Sequence, residues 1–136
     1  MTPITDVCVI TRDLARAIEF YTGPLGLTLD HRMDGFADFR GMGIALAVWQ
    51  ADHLRAHTGV PASPAGPGPA VMIAVRLSSP AEVDTRYEAL RRAGVRFTTP
   101  PADYPWNARC AYFTGPDQEL WELYAWYPGG EPGAVG

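Results

Sequence analysis

The sequence contains no lysine: its 11 cationic side chains are all arginine, set against 15 Asp and Glu for a net charge of −4. Scattered cations on an acidic chain exclude a nucleic-acid surface, whose affinity needs clustered positive charge. The all-arginine usage reads first as a coding bias, with phosphate recognition as the alternative that the scatter disfavours. Cysteine is nearly absent too. Cys8 and Cys110 are the only two, too few and too far apart in sequence for a disulfide framework, so free thiols in the cytoplasm are the expectation. No apolar run approaches the ~20 residues of a membrane span. Met1-Thr2-Pro3-Ile4-Thr5-Asp6 lacks the cationic and apolar regions of a secretory signal.

What the sequence does have is core-forming material. Of 136 residues, 47% are hydrophobic and 19% charged, which excludes intrinsic disorder and suits one domain or two fused half-domains. The pattern repeats. Val7–Ile10 is an apolar run, followed by an amphipathic helix from about Asp13 to Tyr21 with Leu14, Ala17, Ile18 and Tyr21 at i, i+3, i+4, i+7. Asp13 is placed to cap it, and Gly23-Pro24 to stop it. Strand-like segments follow at about Leu25–His31, Phe36–Arg40 and Ile44–Trp49, punctuated by Gly35 and Gly41-Met42-Gly43.

The second half repeats the order: a strand at Val71–Leu77, a helix opened by Ser79-Pro80 with Val83, Tyr87 and Leu90 inward, then strands near Val95–Thr99, Ala108–Thr114 and Glu119–Trp126. The Pro/Gly run from Val60 to Pro69 reads as a linker. The expected organisation is a first βαβββ module over 1–58, a linker over 59–69, a second module over 70–127 and a flexible tail over 128–136. The fold class is α+β, two βαβββ modules forming a curved mixed sheet with helices on its outer face.

Alternation along the strands separates two faces. One parity is apolar throughout: Val7, Val9, Leu46, Val48, Val71, Ile73, Val75, Ala111, Phe113, Trp121 and Leu123. It should pack against the helices. The other carries Asp6, Cys8, Ile10, Ala45, Ala47, Trp49, Met72, Ala74, Arg76, Cys110, Tyr112, Glu122, Tyr124 and Trp126. Aromatic rings, small residues and sparse polar groups together describe a small-molecule pocket. An ordinary wet sheet face is the bland alternative, and it would rarely carry so many Trp and Tyr residues.

The stretch from Ile4 to Tyr21, followed by Leu25-Gly26-Leu27, resembles the opening of vicinal-oxygen-chelate proteins, the glyoxalase/bleomycin-resistance/dioxygenase superfamily. Gly115-Pro116-Asp117-Gln118-Glu119-Leu120-Trp121-Glu122-Leu123 is similar to that family's C-terminal turn and strand, written D-P-D-G-N-x-x-E-L. The resemblance implies metal-ligand positions at Asp6, Met72, Ala45 or Ala47, and Glu122. Only Glu122 keeps a usual ligand residue there. A thioether and a methyl cannot hold Mg²⁺, Mn²⁺ or Zn²⁺, so no metal and no cofactor are expected.

Pro105-Trp106-Asn107 resembles the loop of mitomycin- and bleomycin-binding members, where an aromatic closes over a planar ligand. The implied type is therefore a metal-free antibiotic-binding resistance protein. It would be a homodimer sequestering a flat aromatic natural product. Trp49, Trp106, Tyr112 and Tyr124 would stack on the ligand, Met72 and Cys110 would line the site, and Asn107, Arg76, Asp6 and Glu122 would make polar contacts. The alternative is a lyase, isomerase or oxygenase with a degenerate metal site, or one using Glu122 as base. Glu122 could equally pair with Arg76. His53 and His57, at i, i+4, could bind metal on a helix, but no third ligand is apparent, which favours plain surface histidines.

Overall fold

The computed structural model describes residues 4–41, 43–61, 69 and 71–129. Met42, most of the linker and the end of the tail lie outside them. The chain divides into two compact units, Met1–Gly68 and Pro69–Gly136. Each unit makes its own four-stranded mixed sheet, and among the described residues no helix is long and apolar enough to cross a membrane.

In the first unit, β1 (Asp6–Thr11), α1 (Leu14–Thr22), β2 (Thr28–Met33), β3 (Phe36–Arg40), β4 (Ala45–Gln50) and α2 (Ala51–Thr58) follow in order. The sheet order is β1-β4-β3-β2, with β1 parallel to β4 and the other pairs antiparallel. Asp13 caps α1 by accepting the Arg16 N–H, as its position predicts. The helix turns Leu14, Ala17, Ile18 and Tyr21 inward, where the fully buried Tyr21 ring meets Phe39 edge-on at 5.3 Å. Burying rings of this size contributes about 1.5–3 kcal/mol each.

In the second unit, β5 (Met72–Arg76), α3 (Pro80–Arg92), β6 (Ala102–Tyr104), β7 (Ala108–Thr114) and β8 (Leu120–Trp126) form a sheet ordered β5-β8-β7-β6. The same pairing pattern as in the first unit bears out the duplication read from the sequence. Ser79 caps α3 through the Glu82 N–H, while the Glu82 carboxylate reaches back to the Ser78 N–H at 2.9 Å. Both ends of the first turn are thereby satisfied.

Three expectations need correction. The strand placed at Leu25–His31 runs instead over Thr28–Met33, because Gly26 adopts a left-handed φ of +66° and turns the chain first. The strand placed at Val95–Thr99 is only a bridge, Phe97 to Phe113; the second strand of that sheet in chain order is β6, beyond Pro100-Pro101. Two successive residues without N–H groups cannot enter a ladder, and Phe97 is held by its ring, between Tyr87 at 4.7 Å and Phe113 at 5.1 Å. Val71 precedes β5 and is exposed rather than packed on a helix. The rest of the inward set behaves as its parity requires: Val9, Leu46, Val48, Ala111, Phe113, Trp121 and Leu123 are all buried, and Val7, Ile73 and Val75 are half-buried.

Candidate functional site

The second unit concentrates the predicted site residues. Glu122 lies mid-way along β8, in register with Ala74 of β5 on one side and Tyr112 of β7 on the other. The Tyr112 hydroxyl donates to Glu122 Oε2 at 2.6 Å, the short distance expected of a charge-assisted bond. Burial, followed by the Glu122 carboxylate, pushes the Tyr112 phenol well above its usual range. It therefore stays a neutral donor at any ordinary pH.

One step along the same face, Cys110 is in register with Tyr124, which is itself opposite Arg76. Cys110 is buried, and burial pushes its thiol up. Tyr124 meets Trp126 edge-on at 5.7 Å. The Trp126 indole N–H is shielded from solvent and has no acceptor among the described residues.

The loop between β6 and β7 adds an aromatic wall. Trp106, 43% exposed, stacks on Tyr104 at 4.7 Å with planes 20° apart, and Tyr104 stands perpendicular to Tyr112 at 6.0 Å. Asn107 holds this loop. Its φ of +62° closes the turn, its N–H donates to the Tyr104 carbonyl at 3.0 Å, and its amide donates to the Pro128 carbonyl at 3.2 Å. Asn107 thus positions Trp106, a role the sequence reading did not give it.

Met72 and Arg76 lie on the same parity of β5, both exposed, and the suggested Arg76–Glu122 pair is not formed; the carboxylate takes the phenol instead. Asp6 and Trp49 belong to the first unit. Asp6 is exposed at the start of β1, opposite Ala45, and accepts the Thr5 hydroxyl at 2.5 Å. Trp49 is half-buried on β4, in register with Ile10 and Phe36.

Sequence reasoning missed Tyr104, because displacing the unit's second strand to 95–99 left this residue in a loop. It also missed the grip of Arg109. That guanidinium forks onto Asp84 of α3, with Nη2 at 2.8 Å and Nε at 3.0 Å, and reaches Asp103 of β6 at 3.0 Å. Asp103 also accepts the Tyr127 hydroxyl at 2.6 Å. Tyr127 and then Arg109 hold the Asp103 carboxyl below the usual carboxylate range.

Among the described residues one group has metal-ligand composition: Asp30, His31 and Asp38, whose ligand atoms all lie within 4.8 Å of one another. A register shift between Leu29 and His31 lets two successive β2 residues approach Asp38. The group is closed on itself, since both the backbone N–H and ring Nδ1 of His31 bond Asp38, at 2.8 and 3.0 Å. Glu122 is not part of it. His53 and His57 stack at 4.1 Å, and His53 Nδ1 accepts the Trp49 indole N–H at 3.0 Å. That nitrogen is not free for a metal.

The family model described as Glyoxalase/Bleomycin resistance protein/Dioxygenase superfamily matches residues 4–123. A glyoxalase/bleomycin resistance protein/dioxygenase from Nocardioides is 56% identical, covering 100% of this chain and 91% of its own, with a TM-score of 0.92. A glyoxalase-related enzyme from Fulvimarina pelagi, 22% identical over 95% of this chain and 91% of its own, superposes with a TM-score of 0.80. A lactoylglutathione lyase from Agrobacterium tumefaciens, 17% identical over 92% of this chain and 94% of its own, gives 0.75. The last two are likenesses of fold alone. No curated protein matches the chain.

Proposed function

This chain belongs to the glyoxalase/bleomycin resistance protein/dioxygenase superfamily, and from that premise we propose that it binds and sequesters a flat aromatic small molecule without a metal. The observation that carries the reading is the Tyr112–Glu122 bond. The one family ligand position that keeps a ligand residue has Ala74 on one side and a phenol on the other. A methyl offers no donor atom, and a neutral phenol is a poor ligand for a hard or borderline cation. Around that bond, Tyr104, Trp106, Tyr124 and Trp126 supply ring faces.

The test is a fluorescence titration of chelator-treated protein with antibiotics that carry planar ring systems, mitomycin and bleomycin among them, followed by mass spectrometry of the recovered ligand. Saturable quenching and an unmodified ligand are expected. Trp106→Ala should weaken binding roughly two- to tenfold, the value of an aromatic pair at ~0.5–1.5 kcal/mol. A chemically altered ligand, or binding that requires added metal, would overturn the proposal in favour of an enzyme.

A further inference from the structure

We propose that His53 is a positioning residue for Trp49 and releases the indole when its imidazole is protonated. Trp49 lies on β4 with its ring edge-on to Phe36 at 6.1 Å. Its Nε1–H donates to His53 Nδ1 at 3.0 Å. An indole nitrogen can only donate, so Nδ1 must carry the lone pair and the ring proton sits on Nε2. The tautomer is fixed by its partner.

The imidazole is hemmed in. A Cβ on Gly35 would lie 2.3 Å from His53 Cγ, so only glycine lets the β2–β3 turn close against the ring. On another side the His57 ring stacks at 4.1 Å with planes 26° apart, itself anchored by an Nδ1 hydrogen bond to the His53 carbonyl at 2.9 Å. With the ring confined, the bond to Trp49 has little room to be remade by reorientation.

Protonation converts Nδ1 from acceptor to donor. Two N–H groups then face each other, and the indole must turn away. The ring borders a cleft of about 830 Å³ between the start of α1, the β2–β3 turn and α2. The charged and titratable groups that this cleft presents beside it are Asp13 from before α1, Arg32 from the end of β2, Asp34 from the turn, and Asp52 and His57 from α2. Trp49 and Gly35 bring none.

Trp49 is in register with Ile10 and Phe36, so its release would alter the first unit's ring surface. That any ligand feels this change rests on the proposed function; the hydrogen-bond switch does not. The test follows the four indole N–H signals in ¹H–¹⁵N spectra from about pH 8 to about pH 5, the range in which histidine changes charge, with Trp49 identified by its loss in Trp49→Phe. An upfield movement of the Trp49 signal along a single titration is expected in the native protein. His53→Gln keeps an acceptor oxygen at every pH and should hold the signal downfield and flat, whereas His53→Ala should place it upfield throughout.

A Trp49 signal that ignores pH, or that titrates equally in His53→Gln, would overturn the switch. So would a titration abolished by His57→Gln and kept by His53→Gln. A separate arm measures mitomycin or bleomycin binding at both ends of the range. Equal affinity there, with the indole still switching, counts against the ligand reading of this face and leaves the switch standing.

Discussion

The Glu119 carboxyl fills the space beside Gly115, and the tightness of that fit can be measured. The motif D-P-D-G-N opens on Asp, whereas this chain reads Gly115-Pro116-Asp117-Gln118-Glu119. A Cβ at position 115 would lie 2.3 Å from the Glu119 carboxyl carbon and Oε1, and 2.4 Å from Oε2. The Glu119 carboxyl therefore occupies the space that a side chain at 115 would fill. It is only 2% exposed and accepts the Asp117 N–H at 3.0 Å, so it cannot move aside without losing that bond.

Gly115→Ala should accordingly cost about 1–3 kcal/mol for overpacking plus ~1.5–3 kcal/mol if the charged hydrogen bond breaks. With both contributions the expected net loss is ~2.5–6 kcal/mol, roughly 8–24 °C in Tm for a chain of this size. Gly115→Asp with Glu119→Asn restores the motif's order and should recover much of the loss. Urea unfolding followed by circular dichroism on the wild type, both single variants and the double variant gives the coupling energy, expected above ~1.5 kcal/mol. A Gly115→Ala variant within ~0.5 kcal/mol of the wild type, or a double variant no better than the sum of its singles, would refute the reasoning.

Three further outcomes are expected. Gln118 stands where the motif has Gly and carries a φ of +63°, so Gln118→Gly should stabilise the protein by about 1 kcal/mol, checked by the shift of the urea midpoint. Asp103 titrates below its unfolded value of ~3.9, so its contribution is present above that pH and is lost as pH falls through the lower folded value. Tyr127→Phe removes the largest cause and should flatten the stability profile below about pH 4, read from acid-unfolding curves; an unchanged profile would show the bond to be idle. With burial raising its pKa, Cys110 in a Cys8→Ser variant should react with iodoacetamide far more slowly when native than in urea. Equal rates would show the thiol to be open.

How far the sequence carries depended on whether the signal was local. The α1 helix was legible to its cap because Asp13, the i, i+4 apolar spacing and Gly23 all lie within eleven residues. Strand parity survived for the same reason: seven inward positions are buried as alternation requires, and Tyr112, Glu122 and Tyr124 share the opposite face. Misplacement came where tertiary contact outranked propensity. Phe97 looks like a strand residue, but its ring packing on Tyr87 and Phe113 holds it without a ladder. Glu122's partner was out of reach for a related reason. The sequence suggested Arg76, and only the register of β7 against β8 puts the Tyr112 phenol beside the carboxylate. Arg109 looked like one of many scattered cations until α3 and β6 brought Asp84 and Asp103 to it.

The amide of Asn107 fastens the Trp106 loop to the carbonyl of Pro128, and the Asn107 carbonyl receives the Tyr127 N–H at 2.9 Å. These two residues follow directly on β8. The loop that presents the outermost ring is therefore moored to the chain just beyond the strand bearing Glu122 and Tyr124. Shortening the protein by a few residues after Trp126 would slacken an aromatic wall twenty residues upstream while leaving every hydrogen bond of the four-stranded ladder intact.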